Sequence, residues 1–290
     1  METKQHYHLK LAKIKNLPTL PESSCKIITA VNNPDVSIEE LTQVISTSAS
    51  LTGRLLGLAN SAYFGCPGKI VDLRVAIIQV LGLNLVKSLA LSILLSNELD
   101  VSKCRNFNTL QFWMHNLLTA ILGQKIAMLA GEKHINPSVA YTSGLLLNIG
   151  LLAIVYVFPE ELNQIFIDVE ERSSSLKSEI IDEIGVGHYQ IGFFLLKRWR
   201  LPNVYPEILK QYAELEGVEN NTELLKMITV LKVSSSLAKH IYVSEGQDLS
   251  ISIPNISTIG VEQREIQKLV KQLIKKRKTI EDLAISMGGK

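Results

Sequence analysis

From Gly144 to Phe158 the chain runs fifteen residues interrupted by a single amide, Asn148. A helix that is apolar on every side has no stripe to offer water, so other elements must surround it. The tract falls short of the ~20 apolar residues that cross a bilayer. It is therefore expected to be a buried helix rather than a membrane span, and the rest of the sequence must supply its cover.

That cover reads as helical throughout. Ser37 and Glu40 stand in capping-box spacing ahead of Ile38, Leu41, Val44 and Ile45, which recur at helical intervals. Leu51, Leu55 and Leu58 share a face, and the Gly65-Cys66-Pro67-Gly68 stretch then breaks the chain. Leu73 to Leu95 reads as further helix interrupted at Gly82. Trp113, Leu117, Ala120 and Ile121 form a stripe, with Gly131 placed to stop that helix and Asn136-Pro137 to cap and start the next. Pro159, Glu160 and Glu161 open another helix, Gly185 and Gly187 punctuate, and Leu224 to Ile241 is helical again. Residues 244–257 are expected to be a loop, and Val261 to Ala284 one amphipathic helix built on Ile266, Leu269, Val270 and Leu273. No strand alternates with these helices, so the fold class is all-α with two packed helical subdomains. The polar stretch Ser96 to Asn108 suggests a division into 1–105, 106–245 and a tail at 246–290.

Charge narrows the function classes. Thirty basic against 28 acidic residues leave a net charge of +2, so no global field draws in nucleic acid or an anionic membrane. The start of the sequence lacks the apolar core of a signal peptide. Cys25, Cys66 and Cys104 are odd in number and far apart, which is neither a disulfide framework nor a zinc motif and fits a reducing cytoplasm. The Gly185-Val186-Gly187 turn is too short for a phosphate loop.

Several blocks carry a family resemblance: LPTLP, NNPDVSIEEL, LTGRLLGLANSAYFG and LRVAIIQVLGL in the first half, then FWMHNLLTA, GLLLNIG and HYQIGFFLLKRWRLP. Together they resemble the HDOD family, over roughly residues 10 to 240. The resemblance implies a second subdomain like that of the HD hydrolases, which cleave phosphate esters with a metal held by a His, a His-Asp pair and a later Asp. A divalent ion needs lone pairs and preferably negative charge before it can lower the pKa of bound water. His115 matches the first histidine. Leu147 stands at the His of the pair and has no lone pair. Asn148 stands at the Asp and keeps an amide oxygen without the charge. Ser235 falls at the last Asp. His188 matches a histidine that some relatives use for a second metal, and Gln211 and Tyr212 replace the paired histidines expected further on.

One strong ligand of four is too few for useful metal affinity. The resemblance therefore implies a pseudoenzyme without cofactor or catalytic metal, acting in bacterial signal transduction by binding a protein partner or a small ligand such as a nucleotide. Two alternatives stand beside it: a divergent phosphohydrolase using His115, His188 and Asp182 or Glu183, and a nucleotide sensor without turnover. Asn60, Tyr63 and Phe64 form a candidate interaction surface. His6 and His8 read as a solvated arm, and the basic run Lys275 to Lys278 as a solvated face with a small chance of an anionic partner.

Overall fold

The computed structural model describes residues 17–131, 135–172, 174–214, 222–243 and 259–289. The arm bearing His6 and His8 and the loop expected at 244–257 lie outside them. Among the described residues the fold is all helix, and it groups into two compact units, each assembled from separated chain segments.

The larger unit takes in residues 22–94, 108–146 and 216–290. Its helices are α1 (Glu22–Asn32), α2 (Ile38–Ser46), α3 (Ala49–Ala59), a short α4 (Leu73–Val75) running into a π-helical Ala76–Leu81, most of α5 (Leu83–Asn97), α6 (Thr109–Ala130), α7 (Pro137–Leu146), α13 (Thr222–Val243), α14 (Gln263–Lys275) and α15 (Arg277–Ser286). The caps form where the side chains can reach orphan backbone donors. The Glu40 N–H donates to Ser37 Oγ at 3.1 Å, and the Ser138 N–H to Asn136 Oδ1 at 2.9 Å, with Pro137 opening α7. Gly82, at φ 78°, bends Leu73–Leu81 against Leu83–Asn97 by 119°.

Helix α6 is apolar all round and forms the unit's axis, with α7, α13 and α15 packed on it. Its crossing with α7 is very close: a Cβ on Gly144 would lie 2.6 Å from the Ala120 Cα. Ser88 and Thr142 share a buried hydrogen bond of 2.7 Å that ties α5 to α7. Arg54 on α3 donates to the Met287 carbonyl at 2.9 Å and holds the end of α15.

The smaller unit takes in residues up to 21, 95–107 and 147–215. It carries α8 (Ile149–Val157), α9 (Pro159–Arg172), α10 (Leu176–Ile184), α11 (His188–Arg198) and α12 (Val204–Ala213). Trp199 Nε1 donates to the Pro18 carbonyl at 3.1 Å, and the Asn106 N–H to Asn163 Oδ1 at 2.9 Å, which pins the two outlying segments.

Two expectations change. The final amphipathic segment is two helices broken at Lys276 rather than one. Leu273 and Ile280 are both buried seven residues apart, so the apolar spacing continues across the break and cannot report it. The apolar tract belongs to a longer stretch as well. Pro137–Val157 spans 21 residues and is long and apolar enough to cross a bilayer, but 83% of its most apolar window is buried within the protein.

Candidate functional site

In the larger unit, α6 positions His115 and α13 positions Ser235, 120 residues later. His115 Nε2 and Ser235 Oγ lie 3.1 Å apart. Either atom can donate, so one tautomer of a neutral imidazole satisfies the pair. Burial, with the Lys239 ammonium adding to it, pushes the His115 imidazole down to about 4. The ring is therefore uncharged at neutral pH, and its bond to Ser235 joins two neutral groups.

In the smaller unit, the segment after α7 carries Leu147, fully buried, and Asn148, 9% exposed, which precedes α8 without a side-chain cap bond. Gly150 on α8 meets α11: a Cβ there would lie 1.9 Å from the His188 carbonyl oxygen and 2.5 Å from the Gly192 nitrogen. Gly192 presses in turn on Leu209 of α12. This backbone contact seats His188 at the first position of α11, after Gly187, whose N–H donates to Gln190 Oε1 at 3.4 Å. His188 is buried, its Nδ1 has no hydrogen-bond partner among the described residues, and burial, with Lys177 adding to it, pushes its imidazole down to about 4. Its ring centre lies 3.9 Å from that of Tyr189, tilted by 45°, and Tyr189 meets Tyr212 at 4.8 Å. Burial first, then Tyr212, raises the Tyr189 phenol. Gln211 Oε1 is also buried without a hydrogen-bond partner among the described residues.

Neither unit's set of donors fits a divalent cation. Leu147 offers none, Asn148 and Ser235 offer neutral oxygens, and the His115 ring nitrogen is already engaged by Ser235. Among the described residues no three His, Cys, Asp or Glu side chains come together in a group that could hold a metal ion.

The candidate surface at residues 60–64 lies in the larger unit. Asn60 follows α3 and clamps Ile70: its Nδ2 donates to the Ile70 carbonyl, and the Ile70 N–H donates to its Oδ1, both at 2.7 Å. The clamp holds residues 68–71 beside α3. Tyr63 and Phe64 are half-buried and meet edge to face at 5.1 Å. Between α3 and residues 68–71 lies an open cavity of about 700 Å³, floored by Gly53, Leu56 and Gly57 and flanked by Lys69 and Val71. Sequence reasoning reached Asn60 and passed over Gly53, Gly57 and Lys69. Two glycines four apart inside a helix were the available signal.

The HDOD domain family model matches residues 17–214. The chain belongs to the HDOD family. A curated uncharacterized protein of Treponema pallidum (strain Nichols) is 31% identical over 196 residues, 66% of this chain and 36% of that protein. The HDOD chain thus spans about a third of the curated relative it matches. Among solved structures, a candidate signal transduction protein from Marinobacter aquaeolei VT8 superposes at TM-score 0.79 with 20% identity, over 97% of this chain and 65% of that one. A candidate phosphohydrolase from Shewanella amazonensis SB2B superposes at 0.75 with 21% identity, over 96% and 98%. At such identities these likenesses establish the fold, that of HDOD domains and their HD-phosphohydrolase-like relatives.

Proposed function

We propose that this HDOD chain is a non-catalytic regulatory module, acting in the cytoplasm by binding a signalling protein or a small ligand. The observation that carries the reading is the 3.1 Å bond between His115 and Ser235. A catalytic metal needs three or more protein ligands with lone pairs, preferably some of them anionic, to hold it and to generate hydroxide. Here the surviving histidine is neutral and tied to a hydroxyl, while Leu147 and Asn148 supply no charge. The three free thiols suit a reducing compartment.

The test is turnover with metal accounting. The full chain is stripped with chelator, reloaded separately with Mn²⁺, Fe²⁺ and Zn²⁺, and assayed on bis-p-nitrophenyl phosphate. The expected result is sub-stoichiometric metal and no turnover above the buffer rate. Stoichiometric metal together with turnover would make the chain a divergent phosphohydrolase.

The small-ligand form of the reading draws on His188 Nδ1 and Gln211 Oε1. Each is a buried polar atom without a partner among the described residues, and such atoms are costly unless something satisfies them. A thermal-shift panel of cyclic nucleotides and guanosine polyphosphates tests it, because a ligand of the folded state raises Tm. A rise that Gln211→Leu abolishes supports this form, and a flat panel rejects it.

A further inference from the structure

Charge is unevenly laid down along this chain. Residues 264–278 hold seven basic side chains and one acidic one, Glu265, which is paired with Lys268 at 2.8 Å. Since the net charge is only +2, the rest of the chain carries more acidic than basic residues. The near-balanced total therefore hides a local cationic field.

The fold sets these cations in a line. Ile266, Leu269, Val270 and Leu273 bury one side of α14. Arg264, Lys268, Lys271 and Lys275 recur at i, i+4, i+7 and i+11, which places them along the opposite ridge, and all are exposed. At ~1.5 Å per residue the ridge runs about 17 Å, with a cation at every 5–6 Å or so. It ends at an elbow, where α15 opens with Arg277 and Lys278 and no acidic residue in its first turn. Cations there crowd a helix end that is already positive. The Lys276 ammonium lies 5.5 Å from the centre of the Tyr63 ring, and the Arg277 guanidinium 5.7 Å from that of Tyr242, so both heads are held at the elbow. Like charges four apart on a helix repel. Ridge and elbow thus cost the free chain stability, and an anion laid along them reverses that cost.

We propose that the α14 ridge and its elbow bind the phosphodiester backbone of a nucleic acid without reading its sequence. Phosphates repeat every few ångströms along a strand, so a straight array of point charges matches them better than it matches one compact anion. A bilayer surface fits poorly, because a helix lying on lipid needs an apolar face to bury there, and that of α14 is already buried within the protein. The inference goes beyond the regulatory reading and uses neither His115 nor His188, so the turnover assay and the test below fail independently.

The test is fluorescence anisotropy of the full chain with a fluorescein-labelled 20-nucleotide oligouridylate and with a 20-base-pair DNA duplex. At least one should bind with a Kd of about 10 μM or below in 50 mM salt, and the tighter one assigns the strand form. For the single strand, four phosphate contacts should weaken binding roughly 50-fold between 50 and 200 mM salt. Lys271→Gln with Lys275→Gln should weaken binding at least tenfold and halve the salt slope, with Tm unchanged or raised because repulsion is relieved. Lys271→Arg with Lys275→Arg should retain binding. Lys103→Gln with Arg105→Gln, an exposed basic pair in the smaller unit, should leave it unchanged. Absence of binding to either oligonucleotide overturns the proposal, and so does equal weakening by the two glutamine pairs. Displacement by polyglutamate at matched charge would assign the ridge to an acidic protein segment, and ridge-dependent binding to phosphatidylserine vesicles would assign it to a membrane. Either result overturns the proposal as well.

Discussion

The seam around Gly150 and the groove on α3 are both built on glycine and differ in what the missing side chain is for. At the seam, backbone fills the space: the His188 carbonyl and the Gly192 amide occupy what a Cβ would need. Leu147, Asn148 and His188 beside it are buried, and none carries charge at neutral pH. On α3 the space is open and the rim is cationic. The open surface beside Lys69 belongs to the larger unit, and the packed seam to the smaller one.

The largest expected effect breaks the seam. Gly150→Ala forces a methyl into the backbone of α11 and should cost about 4 kcal/mol, at the far end of overpacking, read as a collapse of the denaturant midpoint. Gly144→Ala, against the Ala120 backbone, should cost about 2–3 kcal/mol by the same measurement.

Acid comes next. The unfolded chain protonates His115 and His188 below about 6.5, whereas the folded chain does so only near 4. In that window the unfolded state binds more protons, so stability falls as pH drops from 6.5 toward 4 and is unaffected above 6.5. Each histidine should cost about 1.5 kcal/mol by pH 5.5. Chemical denaturation at pH 7 and pH 5.5 checks this, and His188→Gln should remove one share of the slope. Ser235→Ala, which leaves His115 Nε2 without its partner, should cost about 1 kcal/mol.

The smallest effect has the opposite sign. Gly53→Ala should stabilise the chain by about 0.5–1 kcal/mol, the ordinary gain in a helix interior with room for a methyl. A loss there comparable to that of Gly144→Ala would erase the contrast between the two regions.

The sequence showed what is local. Ser37, Asn136 and the stop at Gly131 each work within a few residues, so their residue types announce them. The burial of Leu51, Leu55 and Leu58 followed from spacing. Other features depend on partners distant in the chain. The bond between His115 and Ser235 bridges 120 residues and was approached only through family likeness. The break at Lys276 leaves apolar spacing intact, and no glycine or proline marks it. Gly53, Leu56 and Gly57 read as part of an apolar helix, and only the fold shows that one face of it is uncovered among the described residues.

The central claim is that His115 no longer serves a metal. Titrating Mn²⁺ into the full chain while following the histidine side-chain NMR signals tests it most directly, because a coordinated paramagnetic ion broadens its ligand's resonances. The account predicts that His115 and His188 stay sharp up to millimolar Mn²⁺. Selective broadening of His115 at stoichiometric Mn²⁺ would contradict it.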